Sequence, residues 1–143
     1  MQSQVYVNAA IAVPGDVATS NQGVYYPLNL LAGTNGVTCG KFTFVDQYGL
    51  LNDEGTGELI GIAQRNLSYP GYQFENTLTI PSGCPVQVLT KGDVYVKAVA
   101  TANRGDYVHV NGANITYNTT EAGSTGWKVV TGGITNDTIL ISK

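Results

Sequence analysis

Turn-forming residues divide this chain into short segments, and their spacing constrains its fold more than any other feature. Gly supplies 18 of the 143 residues, and Gly, Asn or Pro ends nearly every apolar run. Within the runs apolar and polar residues alternate with the period of a strand, and no window of about a dozen residues carries a helical stripe. The sequence therefore predicts an all-β protein of roughly eight to eleven short strands.

The short connections favour antiparallel pairing, and closing the strands into a barrel or sandwich buries one face of each while it limits exposed edges. A chain of 143 residues fits one domain with a real core. Residues 13–16 (VPGD) form a stop and a turn, because Pro favours an extended predecessor and Gly accommodates positive φ. We expect an extended N-terminal arm over residues 1–13 and a single antiparallel β-barrel or sandwich over residues 14–143.

Two segments nearly repeat each other, residues 92–97 (GDVYVK) and 105–110 (GDYVHV). The second follows Arg104, which completes an Arg-Gly-Asp tripeptide, and it holds the only histidine, His109. Gly before a run rich in Val and Tyr marks the end of a turn, and the following Asp can accept backbone N–H groups. We interpret both segments as strand starts, the tripeptide as a chance match to an adhesion motif, and His109 as a solvent-facing strand residue.

The charge of the chain argues against two classes of partner. Only 12% of the residues are charged, the net charge is -3 and the isoelectric point is near 4.8. The seven cationic residues are scattered, so there is no basic field to attract nucleic acid or an anionic membrane. Residues 1–13 lack the Lys or Arg of a signal peptide and are interrupted by Gln4 and Asn8, so we expect neither export nor a membrane span.

The two cysteines do not form a metal-site pattern. Cys39 and Cys84 are far apart in sequence and, with one histidine, are too few for a zinc site. Without an export signal, two buried free thiols are favoured over a disulfide, although the sequence leaves both states open.

No group of residues has the pattern of a catalytic or calcium site. Asp53, Glu54 and Glu58 are the densest carboxylates, but their spacing fits no EF-hand loop and favours a solvated loop. The Gly123-Ser124 context does not match a nucleophile elbow that could work with His109. We therefore expect no enzymatic activity, no cofactor and no metal site.

Two of the nine tyrosines are candidates for binding. Tyr69 and Tyr72 flank the strong turn Pro70-Gly71, where their rings can lie exposed. An exposed aromatic ring can anchor a protein interface or stack on a sugar. We expect the other tyrosines to pack on the sheets.

Five blocks, in this order and with this approximate spacing, resemble the structural cement (head decoration) proteins of tailed bacteriophages. They span most of the chain from residue 9 to about residue 117, whereas the last twenty residues carry little of the pattern. The blocks are residues 11–19 (IAVPGDVAT), 36–42 (GVTCGKF), 61–65 (GIAQR), 80–86 (IPSGCPV) and 91–96 (KGDVYV).

The resemblance implies a small all-β protein that binds the outside of an assembled head between major capsid protein subunits and stabilises the shell. It implies a protein made in the bacterial host cytoplasm, with no catalytic residue or cofactor. We expect a homo-oligomer, dimer or trimer, and an arm that adds a strand to a neighbouring edge. The expected capsid contacts are Gln2, Gln4, Val5, Tyr6, Val7, Tyr69 and Tyr72.

A second hypothesis is a carbohydrate- or receptor-binding β-module of a phage fibre. It requires exposed aromatic rings in a groove, and Tyr69 and Tyr72 are the residues that would supply them.

Overall fold

A computed structural model describes residues 14–18, 23–28, 30–65 and 79–143 of the chain. These residues form twelve β-strands and no helix, so none of them lies in a helix that could cross a membrane. The strands are β1 (Val24–Tyr25), β2 (Val37–Thr38), β3 (Phe42–Val45), β4 (Leu51–Asn52), β5 (Glu58–Ala63), β6 (Thr79–Ile80), β7 (Val88–Lys91), β8 (Asp93–Lys97), β9 (Tyr107–Asn111), β10 (Asn114–Asn118), β11 (Lys128–Thr131) and β12 (Thr138–Ser142).

The strands pair antiparallel in three sheets, as the short connections predict. The first sheet has the order β1-β7-β5-β3-β4, the second has the order β10-β9-β11-β12-β8, and β2 pairs with β6. The all-β prediction is confirmed, and the strand count is slightly higher than predicted because four of the strands are only two residues long. The described pairings do not close a barrel, so the packed sheets fit the sandwich alternative.

The main core lies between the two five-stranded sheets. Trp127, which precedes β11, is 2% exposed and is the largest fully buried side chain. The first sheet contributes Phe42, Phe44, Ile62 and Leu89, and the second sheet covers them with the aliphatic residues of β8, β9, β11 and β12. These inward positions alternate along each strand, which is the period-two pattern of the sequence.

A second, smaller core lies on the opposite face of the first sheet. Consecutive residues of β7 serve the two cores, since Val88 belongs to the smaller core and Leu89 to the main core. Ile62 and Ala63 of β5 divide in the same way. The first sheet is therefore buried on both faces, which explains why β5 reads as a continuous apolar run.

Both Gly-Asp segments begin strands, as predicted. β8 starts at Asp93, directly after Gly92, and β9 starts at Tyr107, directly after Asp106. Gly92 has φ 134° and Gly105 has φ 92°, values that disfavour any residue with a Cβ. The carboxylate of Asp106 accepts the backbone N–H of Asn103 at 3.1 Å, which fixes the turn that precedes β9.

Candidate functional site

The capsid contacts expected from the sequence lie outside the described residues. This applies to Gln2, Gln4, Val5, Tyr6, Val7, Tyr69 and Tyr72, and also to residues 1–13 as a whole. What the structure does define is the segment that directly follows residues 1–13, together with two surfaces that the sequence did not indicate.

Residues 15–18 are hydrogen-bonded to β8 and to Arg65. Gly15 N–H donates to the carbonyl of Tyr95 at 2.7 Å, and Ala18 N–H donates to the carbonyl of Asp93 at 2.9 Å, so this segment lies along the outer edge of β8. Arg65, which follows β5 in the first sheet, donates its backbone N–H to the carbonyl of Gly15 at 2.9 Å. Its guanidinium also pairs with Asp16 at 3.1 Å. Residues 15–18 therefore connect β8 of the second sheet with the segment that follows β5 of the first.

The close approach at this junction depends on two glycines. Gly15 has φ 93° and packs directly against Gly40, where a Cβ would lie 2.7 Å from the Gly15 nitrogen. A side chain at either position would separate the two segments, which explains why this sequence has Gly at both.

A cavity of about 700 Å³ opens between β3 of the first sheet and β8 to β10 of the second. Its walls are largely apolar and include Phe42, Phe44, Val96, Val110 and Ile115. Four charged residues from three segments also line it: Lys41, Asp53, Glu54 and Lys97. A concave apolar surface of this size is able to bind a ligand or a polypeptide segment.

Tyr117 forms part of the cavity wall beside Val99. Its hydroxyl accepts the backbone N–H of Val99 at 3.4 Å. Burial raises the pKa of the Tyr117 hydroxyl, and the hydrogen bond from Val99 lowers it by a smaller amount. The neutral phenol is therefore the form that the folded protein favours.

The second surface is the turn between β3 and β4, which presents Tyr48. The Tyr48 side chain is 79% exposed, and the carboxylate of Asp46 accepts the N–H groups of Tyr48 at 2.8 Å and Leu50 at 3.0 Å. Leu31 and Leu50 are also exposed, and the residue after Leu50 donates its N–H to the carbonyl of Leu31. We call Leu31, Tyr48 and Leu50 the Tyr48 surface.

Sequence reasoning missed Tyr48, although a signal for it exists. Asp46 and Gly49 occupy the first and fourth positions of a turn, where these residue types are favoured. Tyr48 occupies the third position of this turn, and its side chain is exposed.

Three residues that the sequence analysis weighed as chemical groups, His109, Asp53 and Glu54, have hydrogen-bond partners. His109 lies in β9, as predicted, but it is half-buried, and its Nε2 is 2.8 Å from the carbonyl oxygen of Thr120. Asp53 accepts the N–H of Thr38 at 2.9 Å, and Glu54 accepts the side-chain amide of Asn35 at 2.8 Å. Asp53 is half-buried in the loop before β5, whereas Glu54 and Glu58 are exposed. Within the described ranges no three acidic, His or Cys side chains are grouped as metal ligands.

The Arg-Gly-Asp tripeptide is not presented as an adhesion loop would present it. Asp106 is only 6% exposed and its carboxylate bonds to Asn103, whereas Arg104 is exposed. The two cysteines are free thiols, Cys39 buried and Cys84 partly buried, in and beside the smaller core.

The described residues place the chain in the class of small all-β proteins built as an antiparallel sandwich. The chain belongs to the structural cement protein family, because the family model described as "Structural cement protein (E217 gp24/Pam3 gp6)" matches residues 1–143. The match includes the last twenty residues, which carry little of the block pattern described above. The curated proteins include no match to this chain.

Family membership gives the protein a structural role in a bacteriophage capsid. It associates with the capsid and belongs to the virion, and its family is one of structural proteins.

Proposed function

We propose that this protein is a decoration protein that binds the outer surface of the assembled head between major capsid protein subunits and stabilises the shell. The observation that carries the proposal is the match of the whole chain to the structural cement family. A protein that contacts two coat subunits adds binding area at a joint that would otherwise open under pressure from the packaged genome. The shell is then stabilised by mass action.

The arm and the tyrosine-bearing turns supply the proposed contacts. Residues 2–12 reach a coat subunit, with Gln2, Gln4, Val5, Tyr6 and Val7 as contact residues, and Tyr69 and Tyr72 contact it from the domain. The Tyr48 surface is added to these because its exposed ring is held on an ordered turn, which lowers the entropy lost on binding. Once one contact forms, the next is intramolecular, so several modest interfaces suffice.

The arm is suited to this role because of the segment that follows it. Residues 15–18 are hydrogen-bonded along β8 and to Arg65, so a pull on the arm is transmitted to both large sheets. An extended segment that leaves such a junction can add a strand to the edge of a neighbouring sheet.

The protein is made in the cytoplasm of the bacterial host and joins the head after assembly. We propose that it acts as a dimer or trimer, since a symmetric oligomer presents several arms to the lattice at once.

The first test is quantitative mass spectrometry of purified virions, with the copy number of this protein compared with that of the major capsid protein. A comparable copy number supports a decoration protein that covers the lattice. A handful of copies per particle would contradict the proposal and favour the receptor-binding module of a fibre, and absence from the virion would contradict both.

The second test is deletion of residues 2–12, followed by a binding assay with undecorated heads. The domain should remain folded and its affinity for heads should fall. Unchanged affinity in a folded variant would show that the arm is not a contact element.

A further inference from the structure

The sequence contains two Asn-Gly dipeptides, Asn35-Gly36 and Asn111-Gly112. Asn before Gly can lose its side-chain amide in an intramolecular reaction, because Gly has no side chain to hinder attack by its own backbone nitrogen. The reaction requires that this nitrogen is free and that the backbone around it can move. The structure places the two dipeptides in different surroundings, so we expect them to react at different rates.

The first dipeptide, Asn35-Gly36, is held in place by hydrogen bonds and by packing. The Asn35 side-chain amide donates to the carboxylate of Glu54 at 2.8 Å. The N–H of Gly36, which is the group that would attack, donates to the carbonyl of Gly33 at 2.9 Å. Gly36 is buried, and a Cβ on it would lie 2.5 Å from the carbonyl oxygen of Ile80. Both reacting groups are therefore engaged, and the backbone that carries them is closely packed.

The second dipeptide, Asn111-Gly112, lies at the turn of the β9–β10 hairpin, and both residues are exposed. Asn111 pairs with Asn114, so Gly112 and Ala113 are the two turn residues. Within the part of the chain that the structure describes, neither the Asn111 side chain nor the Gly112 N–H has a hydrogen-bond partner. Gly112 has φ 60°, and a Cβ on it would meet no atom within 4 Å. The attacking nitrogen is therefore free and reached by solvent.

We propose that Asn111 is a site of spontaneous deamidation in the folded protein, whereas the fold protects Asn35 from the same reaction. The Gly112 nitrogen gives its proton to hydroxide and bonds to the side-chain amide carbon of Asn111. The bond from that carbon to Nδ2 then breaks, and Nδ2 takes a proton from water and leaves as ammonia. Water opens the cyclic imide at either carbonyl, which leaves aspartate or isoaspartate. The net reaction consumes a water molecule and releases ammonia, and it is independent of the proposed function.

The modification changes both the charge and the geometry of the turn. Each modified copy gains a carboxylate, which adds one negative charge to a chain whose net charge is -3. Isoaspartate also lengthens the backbone at the residue that closes the hairpin. The turn has little room to move towards the β4–β5 loop, because a Cβ on Gly55 would lie only 2.4 Å from the carbonyl carbon of Gly112. We therefore expect the modified protein to unfold at a lower temperature.

Peptide mapping by mass spectrometry, after incubation of the purified protein at mildly alkaline pH, measures both dipeptides in one sample. In the folded protein Asn111 should react about tenfold faster than Asn35, because two hydrogen bonds must open before Asn35 can react. In guanidinium chloride the fold no longer distinguishes the two dipeptides, and their rates should become similar. The proposal is overturned if Asn111 reacts no faster than Asn35 in the folded protein, or if the ratio of the two rates is the same in the folded and unfolded protein.

The variant Asn111→Gln is the matched control, because it keeps the amide but must close a larger ring, which is a much slower reaction. Isoelectric focusing of incubated wild-type protein should show a more acidic form that incubated Asn111→Gln lacks. The incubated wild-type protein should also have a lower thermal midpoint than the incubated variant, whereas fresh samples of the two should unfold alike. An equally abundant acidic form in Asn111→Gln would place the modification elsewhere and overturn the proposal. Binding of fresh protein to heads does not depend on this reaction, so such a failure would leave the proposed function standing.

Discussion

The hydroxyl of Tyr117 accepts the backbone N–H of Val99, with 3.4 Å between the oxygen and the nitrogen. Tyr117 lies in β10 and Val99 follows β8, and these strands are the two edges of the second sheet. The sheet is thus curled until a single tyrosine side chain spans from one edge to the other. In a closed barrel, backbone pairing connects the two edge strands. In the second sheet this side-chain hydrogen bond connects them instead.

We predict that Tyr117→Phe destabilises the protein by about 0.5–1.5 kcal/mol, because it removes one hydrogen bond and keeps the ring. Chemical denaturation at neutral pH measures the effect. Tyr48→Phe, at an exposed tyrosine, is the matched control and should change the free energy of unfolding by less. An equal loss in the two variants would show that the Val99 contact contributes nothing.

The same residue predicts a dependence of stability on alkaline pH. Burial raises the pKa of Tyr117 above the usual tyrosine value of about 10, so the folded protein holds this proton more tightly than the unfolded chain does. Its contribution is fully present below the unfolded-state pKa and is lost as the pH rises through the folded-state pKa. The free energy of unfolding should therefore fall above pH about 10, and less steeply in Tyr117→Phe. Parallel curves for the two proteins would contradict this.

Removal of the buried carboxylate of Asp106 should destabilise the protein more than Tyr117→Phe does. Asp106→Ala leaves the N–H of Asn103 without its acceptor inside a tight turn, and we expect a loss of about 1–3 kcal/mol. Asp106→Asn keeps an acceptor oxygen in the same place and should lose less. Urea denaturation compares the two variants. If Asp106→Ala were neutral, the turn before β9 would not need this side chain, and the scaffold interpretation of the Gly-Asp segments would be wrong there.

Much of this fold is predictable because its signals are local. The starts of β8 and β9 are predictable from Gly92 and Gly105, because a positive φ and a following Val-rich run are properties of a few neighbouring residues. The cavity is different. Its walls come from β3, β8 and β10, which are far apart in sequence, and no local pattern states that their side chains leave a space between them.

The half-burial of His109 shows the same limit. Alternation correctly predicts that His109 lies on the face of β9 opposite Val108, which is in the main core. It does not reveal that the chain returns to place the carbonyl of Thr120 at 2.8 Å from the ring. The side-chain partner of a strand residue depends on loops whose path the strand pattern does not determine.

Gly55, in the loop between β4 and β5, packs against Gly112 in the turn between β9 and β10. This close contact predicts a steric effect when Gly55 is substituted. It has φ 93°, and a Cβ there would lie 2.4 Å from the backbone of Gly112 in the β9–β10 turn. Gly49 has a similar φ of 78° but open space around it, so Gly49→Ala isolates the backbone cost of about 1–2 kcal/mol. Gly55→Ala should lose about 1–3 kcal/mol more, because the turn must move. Equal losses, measured by thermal unfolding, would show that the two loops separate easily.

The Tyr48 surface predicts a loss of binding without a loss of stability. The Tyr48 ring makes no contribution to either core, and its position is fixed from the backbone by Asp46. If this surface contacts the coat as proposed, Tyr48→Ala removes an aromatic anchor worth about 2 kcal/mol, which lowers affinity for undecorated heads by about 30-fold. The thermal midpoint of the free protein should not change. Ile134→Ala is the control, since Ile134 is also an exposed apolar residue, at 65%, but lies outside this surface. Equal affinities for Tyr48→Ala and Ile134→Ala would remove the Tyr48 surface from the interface and leave the arm, Tyr69 and Tyr72 as the proposed contacts.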